Sequence, residues 1–281
     1  VKLNFPKFLE DLLKDSFGEG FYTCLSSLGS QANLFIRINL IKGEINSVIS
    51  SLREEQIEVE RVPRFKNSLK IVKNKQKINK SKVYLSGKIE IQDINSQAVV
   101  EFIDVKQNTK ILDFCAGGGG KTLAMASLIS GQAEFFAYDA NTSKLSNLIM
   151  RCKRAGVKVR ILHNRNFDEK KEGFDLVVAD VPCSGTGVWK RNPASKWLLT
   201  SEKLNLLISN QKEILLKAAR HVKNNGTLAY ITCSVLKTEN QAQIQWFLST
   251  DKSFSFFADS FLSPAEGGDG FYVSLLKKTI N

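Results

Sequence analysis

Histidine is scarce in these 281 residues: there are 2, His163 and His221. No CxxC and no HxxxH pair occurs, so a zinc site has no ligand set and no metal is expected. The five cysteines, at 24, 115, 152, 183 and 233, are odd in number and irregular in spacing. A disulfide framework is not expected at this length, and reduced thiols in a cytoplasmic setting fit better. No apolar run approaches the roughly 18 residues of a membrane span, and no charged, apolar, then small leader pattern is present. No membrane partner is therefore expected. The sequence starts at Val1, so anything upstream is outside view. No internal repeat is visible.

What is present suits one large domain, or a domain with a smaller partner. Hydrophobic residues make up 43% and charged residues 24%, a globular composition with a sizeable core. The net charge is +12 and is unevenly spread. From Arg61 to Lys88 there are 10 Lys/Arg and no Asp or Glu. A solvated lysine-rich linker is one reading; a phosphate-binding surface is the other. Leu69, Ile71, Val72, Ile78, Val83, Tyr84 and Leu85 run through the segment, so it can fold.

Residues 1–92 read as a small α+β unit. FPKFLEDLLKDSF has helical amphipathicity, and NLFIRIN (33–39) alternates as a strand does. Ile45, Val48, Ile49 and Leu52 share one side of a helix, and short strands are expected over 69–72 and 82–92. Beyond residue 93 the rhythm becomes β/α. Strands are expected at KILDF (110–114), EFFAYD (134–139), VKVRIL (157–162), FDLVVAD (174–180) and TLAYITC (227–233). A helix is expected up to about Ala155 and a long one from Thr200 to His221, with a closing strand pair, SFSFFA (253–258) and FYVSLL (271–276). Apolar strands alternating with helices predict a parallel sheet covered on both faces.

CAGGGGKT (115–122) lies between the first of these strands and its helix. The phosphate-loop pattern fails because Cys115 stands where glycine is needed, and the dinucleotide pattern fails at Thr122. The glycines still permit a sharp turn and close approach of a ligand, a bare tight turn being the alternative. Asp139 ends the second strand, 18 residues past Lys121, where a carboxylate can accept from both ribose hydroxyls. A glycine loop without a phosphate pattern plus such an acid suits a nucleoside cofactor without phosphates. S-adenosylmethionine is the common one.

Five stretches then resemble one family. CAGGGGKT, YDAN, DVPCSGTGVWKRNP, YITCSV followed by Glu239-Asn240, and GGDGFYVSLLKK are similar to the motifs of Sun/RsmB-type RNA 5-methylcytosine methyltransferases. Upstream, NLFIRINLIKG and GKIEIQDINSQ resemble the family's N-terminal motifs, so the likeness covers nearly the whole chain. It departs at Gly117 and Gly118, where the family more often has alanine and proline, and at HNRNFDE, where an acid is usual. Asn166 is favoured at that cofactor position, with Asp168 its rival. The extra N-terminal helical domain of many bacterial relatives is not among these residues.

The resemblance implies a Rossmann-like class I methyltransferase with a doubly wound sheet (93–281) and a smaller RRM-like α+β RNA-binding domain (1–92). It implies S-adenosylmethionine held by Cys115, Ala116, Gly117, Gly118, Gly119, Gly120, Lys121, Asp139, Asn166 and Asp180. Carbon 5 of cytosine is a poor nucleophile, and thiolate attack at carbon 6 activates it. By resemblance Cys233 is that nucleophile and Cys183 assists release. Asp180 can hydrogen-bond the pyrimidine, and Lys121 is a candidate for lowering a thiol pKa. An inert buried thiol is the plain alternative for each cysteine. The target base must leave any stack. Lys190 and Arg191 are candidates for flanking phosphates, and Arg61, Arg64 and Lys66 for an extended RNA track. Trp189 is a candidate for stacking, with a core role for Trp189 and Trp197 the alternative. The expected partner is ribosomal RNA, with tRNA second, and the chain is expected to be monomeric. Direct nitrogen methylation fits less well, because DVPC stands where an acidic or amide residue, two prolines and an aromatic would be. An RNA-binding scaffold with a degenerate cofactor pocket is the non-enzyme reading, supported by the altered glycine loop.

Overall fold

The structure is a computed structural model that describes residues 5–163 and 173–279. Its strands are β1 Leu34–Ile38, β2 Glu58–Val62, β3 Phe65–Lys73, β4 Ile89–Ile91, β5 Lys110–Asp113, β6 Glu134–Ala137, β7 Val159–Ile161, β8 Phe174–Asp180, β9 Val222–Thr232, β10 Phe254–Leu262 and β11 Phe271–Lys278. They form a four-stranded sheet, β2-β3-β1-β4, and a seven-stranded sheet, β10-β11-β9-β8-β5-β6-β7. In the larger sheet β5–β6, β6–β7 and β8–β9 pair in parallel, and β11 pairs antiparallel with both β9 and β10. This is the mostly parallel α/β sheet that the alternating strands and helices predict. By contacts the chain forms two compact units, Asn33–Lys171, and Val1–Ala32 with Glu172–Asn281.

In the unit Asn33–Lys171, the four-stranded sheet has βαββαβ order, with helices Ile45–Glu54 and Lys82–Leu85 between strands. Alternation places Ile36 and Ile38 of β1 on the same face as Leu69, Ile71 and Ile89. These pack on Val48 and Leu52, which share one side of the helix. The strand expected over 82–92 is split. The Ser81 hydroxyl accepts the Tyr84 amide and starts a helical turn, so only Ile89–Ile91 remains extended. The opposite face is also covered. Ser68 Oγ donates to Gln97 Oε1 at 2.5 Å, Arg37 Nε to Gln92 Oε1 at 2.8 Å, and Ser127 Oγ to the Ile38 carbonyl at 3.2 Å. The helix Gly120–Leu128 is buried from Lys121 to Ser127, as its all-round small and apolar residues require. The helix Ser143–Ala155 buries Leu145, Leu148, Cys152 and Ala155 and ends on Gly156 at φ 76°.

In the other unit, β8 and β9 lie side by side with β11 and β10 beyond. The Thr200 side chain caps the long helix Ser201–Ala219. Strand β9 starts at Val222, earlier than its apolar run, because Asn225 at φ 62° and a register shift carry polar residues into the ladder. Helices Leu9–Phe17 and Phe21–Leu28 bury Leu9, Leu13, Phe21 and Leu28 against Trp189, Leu199, Leu204, Val235 and Leu236. Among the described residues no helix is long and apolar enough to cross a membrane.

Candidate active site

The glycine loop is built where β5 ends. Tyr138 N–H donates to Asp113 C=O at 2.9 Å and Ala116 N–H to Tyr138 C=O at 3.0 Å, so the loop grows out of the β5–β6 pairing. Gly117 (φ 52°) and Gly119 (φ 81°) both adopt the left-handed region that side chains disfavour. The buried Asp139 carboxylate ties the loop down, accepting the Gly117 amide at 2.8 Å on one oxygen and the Asn141 amide at 2.8 Å on the other. A Cβ at Gly117 or Gly120 would meet nothing within 4 Å, so open space lies beside the loop. Lys121 is buried with Nζ donating to Ser96 Oγ at 2.9 Å, and Thr122 Oγ1 donates to Asp113 Oδ2 at 2.6 Å. Cys115 is half-buried and Ala116 buried at the loop's start. The Gly118 carbonyl accepts from Arg151 Nη1 at 2.7 Å, and Arg151 Nη2 donates to the buried Glu90 at 2.9 Å.

The two thiols are built where β8 and β9 end. The strands are parallel neighbours with Asp180 opposite Ile231, so the chain leaves both on the same edge. Cys183, three residues past β8, and Cys233, one past β9, therefore meet, with Sγ atoms 3.3 Å apart. Asp180 is half-buried at the last position of β8. The hydrogen bond to Cys233 does most to hold the Cys183 thiol well above its ordinary pKa. Burial comes next, then the charges of Cys233 and Glu239; the Gly185 amide acts the other way. Cys183 thus holds its proton more firmly than an ordinary thiol, and either sulfur can be the donor in the contact. The loops are close-packed: Gly187 N–H donates to Cys233 C=O at 3.0 Å and Gly270 N–H to Gly187 C=O at 2.8 Å. A Cβ at Gly187 would lie 2.1 Å from the Gly270 oxygen, so only glycine fits.

Other candidates lie apart from these clusters. Lys190 is buried, with Nζ on the Pro264 carbonyl at 3.3 Å and the Gly268 carbonyl at 2.5 Å. Arg191 Nε donates to the buried Asp269 at 2.6 Å. Both side chains hold the segment after the Cys183 loop. Trp189 takes the core alternative at 4% exposure, whereas Trp197 is 54% exposed. Arg61, Arg64 and Lys66 are all exposed on the β2–β3 hairpin. Asn166 and Asp168 lie outside the described residues. All five cysteines are thiols rather than disulfide halves, and among the described residues no group of three His, Cys, Asp or Glu is placed to hold a metal. Sequence reasoning assigned no role to Glu90, Arg151, Ser96, Gln211 or Glu239. Each is an ordinary polar residue whose importance comes from partners distant in the chain.

A model of the family described as 16S rRNA methyltransferase RsmB/F matches residues 100–277. The chain belongs to this family. The RsmB/F chain is 29% identical over 288 residues to Ribosomal RNA small subunit methyltransferase B of Klebsiella pneumoniae subsp. pneumoniae, which covers 98% of this chain. It spans 66% of that relative's length, just under two thirds. A crystal structure of PH0851 superposes with TM-score 0.90 at 30% identity, over 98% of this chain and 66% of that one. NSun6 from Pyrococcus horikoshii, solved with SFG, shares the fold, with TM-score 0.88 at 18% identity over 100% of both chains.

Proposed function

We propose that this RsmB/F chain transfers a methyl group from S-adenosylmethionine to carbon 5 of a cytidine, in ribosomal RNA, through a covalent adduct with Cys233. The observation that carries the reading is the thiol pair, 3.3 Å apart at the ends of two parallel strands. The residues fit the cofactor. The glycine loop has open space beside Gly117 and Gly120, and Asp139 has further lone pairs to offer a ribose. S-adenosylmethionine, when bound, supplies an electrophilic methyl. Cys115, Ala116, Gly117, Gly118, Gly119, Gly120, Lys121 and Asp139 are the residues assigned to hold it, with Asn166 and Asp180 added from the motif resemblance.

In this reading Cys233 attacks carbon 6 as a thiolate, and electron density moves to carbon 5. Asp180 hydrogen-bonds the pyrimidine as charge develops in the ring. After methylation the carbon 5 proton passes to solvent water, its bonding pair restores the carbon 5–carbon 6 double bond and expels Cys233 as the thiolate, with Cys183 assisting that release. A thiol that holds its proton until its neighbour has reacted suits that later step. The basic, four-stranded part of residues 1–92 is assigned to RNA through Arg61, Arg64 and Lys66, and residues 93–281 to methyl transfer. Lys190 and Arg191 serve by shaping the segment next to the base. A tRNA substrate is the second reading, since the same chemistry serves either RNA.

The test is a denaturing gel of wild type, C183A and C233A, each incubated with S-adenosylmethionine and ribosomal RNA lacking the modification. An RNA-linked band in C183A, absent in C233A, is expected. A band in C233A alone would reverse the two roles. No methyl transfer by wild type to ribosomal RNA or tRNA would remove the enzymatic reading.

A further inference from the structure

Glu239 is fully buried at the end of the turn Lys237–Glu239. Its carboxylate accepts from four donors. One oxygen takes the Ser184 amide at 2.8 Å and Gln211 Nε2 at 2.9 Å. The other takes the hydroxyls of Ser184 and of Ser234, the latter at 2.5 Å. Ser184 directly follows Cys183, and Ser234 directly follows Cys233. Gln211 also donates to the Pro182 carbonyl at 3.0 Å, on the other side of Cys183. The Glu239 backbone is held too, its carbonyl accepting from Tyr230 OH at 2.7 Å.

A buried carboxylate is costly unless its oxygens are satisfied, and these are. Bridging two loops needs only acceptors, however, which a neutral amide or hydroxyl also provides. The charge has a separate consequence. It opposes negative charge on the thiol whose loop it grips by both the amide and the hydroxyl of Ser184, and Glu239 is among the groups that hold the Cys183 thiol protonated. In a pair 3.3 Å apart, one thiolate discourages the other, so a neighbouring fixed charge can decide which ionises.

We propose that Glu239 is the positioning residue that divides the work between the two thiols: one buried carboxylate clamps both cysteine loops and leaves Cys183 as hydrogen-bond donor and Cys233 as acceptor. The inference rests on the methyltransferase reading only for its catalytic readout, since thiol reactivity can be followed without cofactor or RNA.

The test compares wild type, E239Q and S234A in the full chain. Each is treated with iodoacetamide, and alkylation of Cys183 and Cys233 is timed separately by peptide mass spectrometry. In wild type Cys233 is expected to react about tenfold faster or more. E239Q keeps the shape and one acceptor but not the charge, and the ratio should fall by about fivefold. S234A removes one limb of the clamp and keeps the charge. Its ratio should stay within about twofold of wild type while kcat for methyl transfer falls about tenfold and KM for S-adenosylmethionine holds. An unchanged ratio in E239Q that still melts cooperatively would overturn the proposal. So would a collapsed ratio in S234A, which would assign the effect to loop geometry alone; this arm also decides the matter if E239Q does not fold. Absent methyl transfer with the expected alkylation ratios would reject the functional reading and leave the role of Glu239 standing.

Discussion

At the residue scale, Gly119 shows how closely the glycine loop is specified. Its φ is 81°, and a Cβ there would lie 3.0 Å from Leu148 Cγ. Alanine would carry about 1–2 kcal/mol of left-handed strain, and Leu148 would have to shift. The loop amides would move with it. G119A is expected to weaken S-adenosylmethionine binding by about tenfold, with a smaller loss of thermal stability; calorimetric titration measures the first and a melting curve the second. The same cluster shows what residue type alone conceals. Cys152 and Cys183 are both cysteines in helix- or strand-adjacent positions. Burial pushes the Cys152 thiol up to about 11, while Cys183 is held up first by another thiol. Cys152 is an inert core residue.

At the element scale, β4 does more than close a small sheet. Glu90 on β4 is 2% exposed and takes two guanidiniums, Arg151 at 2.9 Å and Arg154 at 2.5 Å. Arg151 holds the Gly118 carbonyl at 2.7 Å, so an acid of the four-stranded sheet anchors the glycine loop through a helix. The Gln92–Ser96–Lys121 contacts run alongside, at 3.2 Å and 2.9 Å. E90Q removes the charge that two partly buried arginines face. It is expected to cost about 3 kcal/mol, because a buried pair that loses one partner leaves the other uncompensated. Denaturant unfolding measures that loss, and KM for S-adenosylmethionine should rise with it. A rise in KM without lost stability would mean that Glu90 acts on the loop by another route. The stretch GKIEIQDINSQ is recognisable in the sequence as a motif, but its wiring to a glycine 28 residues beyond Glu90 is not.

At the scale of the whole molecule, the net charge of +12 predicts salt-sensitive RNA binding. The face of the four-stranded sheet opposite its own core is occupied by Arg37–Gln92 and Ser68–Gln97 contacts. The proposed RNA contact therefore falls to the exposed β2–β3 hairpin, where Arg61, Arg64 and Lys66 lie. Reversing all three charges should weaken RNA binding and lower the slope of log affinity against log salt by about 2, the value for three lost contacts to single strands. Filter binding over a salt series checks this. An unaltered slope would remove the hairpin from the RNA track. Stability should fall by no more than about 1 kcal/mol, because the contacts that these exposed side chains make, Arg61 Nη2 on Asn46 Oδ1 at 2.7 Å and Arg64 over the Phe65 ring, lie at the surface.

Local pattern was enough for much of this protein. The apolar runs of β5, β6, β8 and β9 report their own burial, and a parallel α/β sheet follows from them; the alternation of β1 marks a strand, but not the burial of Arg37 on its polar side. The glycine loop, Asp139 and the two cysteine motifs are short, contiguous signals. The tertiary structure decided what depends on partners far apart in the chain. The helical turn that replaces an expected strand at Lys82–Leu85 is held at its start by the Glu55 carboxylate, 27 residues upstream, which accepts the Lys82 amide at 3.0 Å. Helices Leu9–Phe17 and Phe21–Leu28 pack with Trp189, Val235 and Leu236 because apolar surface finds whichever face completes its burial, and no local pattern names that face. Lys190 reads as a phosphate contact in KRNP and Glu239 as part of the motif after YITCSV, yet both are buried. Whether a charge can be buried depends on the donors or acceptors that the rest of the chain brings to it. For Glu239 those are a serine 55 residues upstream, one 5 residues upstream and a glutamine 28 residues upstream.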